Sequence, residues 1–133
     1  MYCCWLSPPV WSAAPDETGL ARQRIDFLAA EQALDARKDA RYRQLLRGLS
    51  DYPLLPYLEY RRLRGDLTRA SPEEIERFLT QHADTPLAGL LRNVWLRQLA
   101  RHGRWRDYLR FYRSGSDTER HCHYINALML AAE

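Results

Sequence analysis

From Leu20 onward the apolar positions recur every three or four residues, with polar residues between them and no alternating stretch that would suit a strand. The first helix is expected from about Leu20 to Asp35, with Leu20, Phe27 and Leu34 two turns apart and Ile25, Leu28 and Ala30 widening the stripe. A second runs to Leu49 on Tyr42, Leu45, Leu46 and Leu49. Pro53 then pushes Tyr52 out of the helical region, and Pro56, with fixed φ and no N–H, suits the first turn of a third helix through Leu58, Glu59 and Leu63. Tyr57 and Tyr60 are expected to pack their rings between the second and third helices.

Downstream, the punctuation is sharper. After an Arg64-Gly65-Asp66 loop, Ser71-Pro72-Glu73-Glu74 spells a capping box, with Pro72 at the first helical position. Thr85-Pro86 opens the next helix, whose Leu87, Leu90, Leu91, Val94 and Trp95 line one side, and Gly103 is placed to cap it in the left-handed conformation. A short helix from Arg104 to Tyr112 carries Trp105, Leu109 and Tyr112. Ser114-Gly115-Ser116-Asp117 breaks it, and Asp117 or Thr118 caps a last helix that ends among apolar residues, with Tyr124, Leu128 and Leu130 expected to face water. Seven short helices with short loops suit a compact bundle or a solenoid of stacked helical hairpins. The apolar end of the chain favours the solenoid: an all-α, tetratricopeptide-like superhelix over residues 20–133, cut before its natural end.

Composition adds limits. No stretch approaches the roughly 20 apolar residues that a membrane-spanning helix needs. Formal charge is +3, and Lys38 is the only lysine. The arginines are interleaved with Asp and Glu along each helix, the pattern of solvated surface rather than of a nucleic-acid face, so no nucleic acid is expected as a partner. Residues 1–19 read as a truncated signal peptide or flexible N-terminus, with small and apolar residues around Val10-Trp11-Ser12-Ala13, which points to export. Cys3 and Cys4 fall in that segment. Cys122 is then either paired outside this sequence or a small buried apolar residue.

Candidate chemistry is sparse. His121-Cys122-His123 carries good metal ligands, but neighbours at i and i+2 on a helix point about 200° apart, so no metal site is expected. Glu73, Glu74 and Glu76 sit in a first turn, where negative charge complements the helix dipole and stays ionised. Glu59, between Tyr57 and Tyr60, has no second acid at a defined spacing and reads as a packing-edge residue. Neither a nucleophile elbow, a phosphate loop nor a His-Glu-x-x-His motif occurs, and no cofactor is expected. Trp95, Trp105, Tyr108, Phe111 and Tyr112 are spaced as inter-helix core.

The Asp51-Tyr52-Pro53-Leu54-Leu55-Pro56-Tyr57-Leu58-Glu59-Tyr60-Arg61 stretch, together with Leu99-Ala100-Arg101-His102-Gly103-Arg104-Trp105, resembles the N-terminal helical region of the soluble lytic murein transglycosylases. The resemblance covers roughly Phe27 to Ala132, and Tyr52, Pro53, Pro56, Tyr57, Tyr60, Gly103 and Trp105 are its structural signature. It implies a superhelical, U-shaped domain that forms part of a ring in a periplasmic enzyme. A distant lysozyme-like domain in such enzymes cleaves peptidoglycan without water between N-acetylmuramic acid and N-acetylglucosamine, leaving a 1,6-anhydro sugar. The family's catalytic Glu is followed by Ser, and no Glu-Ser pair occurs here. The resemblance therefore implies a scaffold that is inactive alone, with glycan strands and the rest of the superhelix as partners. A helical-repeat module for protein–protein interaction is the competing reading.

Overall fold

The computed structural model describes residues 17–132, which form seven helices and no strand. The expected leader and Cys3 and Cys4 lie outside the described residues. Two compact units divide between Ser50 and Asp51.

The first unit contains α1 (Glu17–Asp35) packed on α2 (Asp39–Leu46). α1 begins three residues before the expected start at Leu20. Of the expected stripe Phe27 and Ala30 are buried, with Ala33 beside them, whereas Leu20, Ile25 and Leu28 are exposed, so the core face is narrower than expected. α1 ends in a Schellman motif: Lys38 N–H donates to Ala33 O at 2.8 Å and Arg37 N–H to Leu34 O at 3.1 Å. Arg37 occupies the left-handed position, at φ 54°. α2 stops at Leu46 rather than Leu49, yet Leu49 is fully buried just beyond it.

The second unit contains α3 (Leu55–Gly65), α4 (Pro72–Gln81), α5 (Pro86–Arg101), α6 (Trp105–Phe111) and α7 (Thr118–Ala131). α5 packs against α3, α4 and α6, and α6 against α7. Within each unit most packing thus joins chain neighbours, the pattern of stacked helical hairpins expected from the sequence. The core gathers Tyr60 and Leu63 of α3, Ile75 and Phe78 of α4, Leu91, Trp95 and Leu99 of α5, Tyr108 and Phe111 of α6, and Ala127 of α7.

Local signals account for the boundaries. Glu74 N–H donates to Ser71 Oγ at 3.1 Å and Ser71 N–H to Glu74 Oε2 at 3.2 Å, closing the capping box at α4. Arg120 N–H donates to Asp117 Oδ1 at 3.0 Å, which caps α7 and holds the Asp117 carboxyl below its usual range. Thr85 differs. Its hydroxyl turns back to His82 O at 2.8 Å instead of capping α5. α5 ends as α1 does, with Arg104 N–H donating to Leu99 O at 2.9 Å and Gly103 at φ 63°. On α5 the buried face is Ala88, Leu91, Trp95, Leu96 and Leu99; Leu90 is exposed, contrary to the expected stripe.

Candidate functional site

The Tyr-Pro segment folds as a turn feeding a helix. Leu55 N–H donates to Tyr52 O at 2.9 Å across Pro53, and Pro56 follows in the first turn of α3, where its missing N–H costs no helical bond. Leu58, Tyr60 and Leu63 are then buried. Tyr57 is not: 42% of its surface is exposed, which corrects the expectation that both tyrosines pack inward. Helical geometry gives the reason: Leu58, Leu63 and Tyr60 span the buried arc of α3, and Tyr57 lies about 60° beyond Tyr60, just outside it. The Arg61 guanidinium sits 5.9 Å from the Tyr57 ring centre and that of Arg64 6.0 Å from the Tyr60 ring.

Glu59 has a partner that sequence spacing did not reveal. Its Oε2 lies 3.1 Å from His82 Nε2, and the imidazole also packs on Phe78 with ring centres 4.6 Å apart. His82 is the residue that ends α4, so the pair ties α4's C-terminus to α3. Nearby, Arg62 bonds Glu74 at 3.3 Å, and Arg110 of α6 reaches Glu76 and Glu73. The acidic first turn of α4 is thereby spent on capping and inter-helix ion pairs.

At the α6–α7 hairpin the aromatic side chains form a continuous stack. Tyr112 stacks on Tyr124 at 4.3 Å and on Tyr108 at 6.1 Å, while His123 contacts both Trp105 and Tyr108. Trp95 meets Phe111 edge-on at 6.0 Å, with the Arg104 guanidinium 5.6 Å from its ring. The ring faces are consumed by one another, so the set is core and inter-helix glue, as its spacing suggested. Tyr108 is fully buried and donates to Arg120 O at 2.9 Å. Burial, helped by the neighbouring Tyr112, pushes its hydroxyl up to about 12.

The histidines flanking Cys122 do not converge. His121 Nδ1 lies 3.2 Å from the Tyr112 hydroxyl and His123 faces the Trp105 ring, and no group of three metal-ligating side chains occurs among the described residues. Cys122 is exposed, which removes the buried-apolar reading. An open depression of about 300 Å³ beside Gly103, Trp105 and Leu130 contains the Arg104–Asp107 ion pair and no acid–base pair. No helix is long and apolar enough to cross a membrane among the described residues.

No family model matches the chain. Over 109 residues it is 35% identical to the soluble lytic murein transglycosylases of Salmonella typhimurium and of Escherichia coli K12, a stretch that covers 81% of this chain and 17% of each relative. The crystal structure of the 70 kDa soluble lytic transglycosylase from Escherichia coli superposes with a TM-score of 0.75 at 34% identity, covering 84% of this chain and 18% of that one. The complex of the 70 kDa soluble lytic transglycosylase with bulgecin A matches equally well. This chain therefore spans less than a fifth of those relatives' length, and over that helical stretch it is homologous to the soluble lytic murein transglycosylases.

Proposed function

We propose that this chain is the scaffold portion of a periplasmic peptidoglycan lytic transglycosylase, a wall of stacked helical hairpins that holds and guides the glycan strand. Bond cleavage belongs to a lysozyme-like domain elsewhere in such an enzyme. The observation that carries the reading is the 35% identity over 109 residues of an all-helical stretch whose carboxylates are committed to caps and ion pairs. The Glu59–His82 pair is the nearest approach to acid–base machinery, and it joins two helices rather than facing a cleft. The remainder of the superhelix is the natural partner, and export would follow from the apolar leader.

A protein-interaction module is the second reading. It is favoured by one feature, the exposed Ile125, Leu128, Met129 and Leu130 of α7. The two readings part on incubation of the chain with purified sacculi. The scaffold reading expects retention on the polymer without release of 1,6-anhydromuropeptides. Release that scales with protein concentration overturns the assignment of cleavage to another domain, and absence of retention favours the interaction module.

A further inference from the structure

One face of α3 and its N-cap is left open. Leu54, Tyr57, Arg61 and Arg64 are spaced by three, four and three residues, which places them within about 80° on one side of the helix. Leu54 is 51% exposed and Tyr57 42%. The helix's only carboxylate, Glu59, is turned to His82, and Arg62 is turned to Glu74. What remains is an aliphatic side chain, an aromatic ring flanked by Arg61, and the Arg64 guanidinium, with no acid of α3 among them. Arg64 has no ion-pair partner among the described residues. Pro53, Pro56 and the Tyr52–Leu55 turn hold the aromatic end rigid, so ordering it for a partner costs little entropy.

We infer that this face of α3 is a docking surface for an N-acetylated glycan strand bearing carboxylates. The inference rests on the scaffold reading and gives it a location. A pyranose presents a face of C–H bonds that packs on the open part of the Tyr57 ring. Leu54 lies beside it to receive an acetamido methyl group. Arg64 supplies a planar fork that matches a carboxylate, which a neutral glycan lacks. Charge complementarity selects this occupant over a neutral sugar.

The test titrates the 133-residue chain with N-acetylmuramyl dipeptide, which has a carboxylate, and with neutral chitotriose, following backbone amides by NMR. Both sugars should shift amides between Leu54 and Arg64. Tyr57→Ala should weaken both by about tenfold or more, while Arg64→Gln should weaken only the muramyl ligand. The Tyr57→Ala protein should melt like the parent; a clear drop in Tm would show a core residue and overturn the inference. Shifts confined to another surface would overturn it too, as would concentration-dependent shifts at these amides without sugar, which would assign the face to a second copy. Sacculi retained equally by parent and Tyr57→Ala refute this surface and leave the scaffold reading standing. Sugar-induced shifts in a chain that sacculi do not retain refute the scaffold reading instead.

Discussion

Tyr108→Phe removes one hydroxyl from a fully buried ring and leaves its packing unchanged. The lost group donates to Arg120 O at 2.9 Å, linking the core of α6 to the first turn of α7. At neutral pH the loss should cost about 1 kcal/mol, the net worth of one buried neutral hydrogen bond. That corresponds to a fall in Tm of roughly 4–8 °C for a unit of this size. Alkaline pH should change the comparison. The Tyr108 hydroxyl is raised in the folded protein from 10.0 to about 12. A raised folded value contributes stability that is fully present below pH 10 and is lost as pH rises through that window toward 12. The parent should therefore lose up to about 1.4 kcal/mol per pH unit across the window from this group, a loss that the phenylalanine variant does not share. The gap between the two proteins should narrow above pH 10 and then invert. The remaining tyrosines are common to both, so the difference isolates Tyr108. Urea melts followed by circular dichroism at pH 7, 10 and 11 measure it. A gap that stays constant with pH would show that Tyr108 is not protected from solvent, and a gap of zero at pH 7 would show that its hydrogen bond contributes nothing.

Three further outcomes are expected. Ser71→Ala opens the capping box at α4 and should cost about 1 kcal/mol; a loss below a few tenths in chemical denaturation would mean that Pro72 and Glu74 hold the helix start without it. The two Schellman positions should respond with opposite signs: Gly103→Ala should lower stability by about 1 kcal/mol, because φ is 63° while the added Cβ meets only the Trp105 indole nitrogen at 3.8 Å, and Arg37→Gly should raise it by roughly 0.5 kcal/mol by relieving the same conformation. Both changes are read in paired thermal melts, and a shared sign would refute the strain argument. Trp95→Ala empties a fully buried site between Phe111 and Arg104 and should cost about 3–5 kcal/mol, measured by urea denaturation; a cost under about 1 would mean that the second unit is not organised around α5.

Much of the backbone was legible in the sequence because its determinants act over a few residues. Ser71, Pro72 and Glu74 satisfy or remove orphan N–H groups within one turn, Gly103 accepts a left-handed φ that other residues resist, and Asp117 reaches an amide three residues on. Those signals place helix ends to within a few residues wherever they occur. Where they are absent the reading drifted: α1 begins three residues before the expected Leu20, and α2 stops short of Leu49 although that leucine belongs to the buried set.

Only the tertiary structure decided which side of each helix is inside. A period of 3.6 residues says that a face exists but not where its edges lie: in α1 the core side carries Phe27, Ala30 and Ala33, while Ile25 and Leu28 of the expected stripe fall outside it. The same choice exposes Tyr57 while burying Tyr60, and exposes Leu90 while burying Leu91. Glu59 and His82 are 23 residues apart in the chain, so their pairing follows from the packing of α3 and α4 and from no local pattern. Local sequence sets where the backbone turns because capping and proline chemistry are short-ranged, whereas burial and ion pairing depend on groups that only folding brings together.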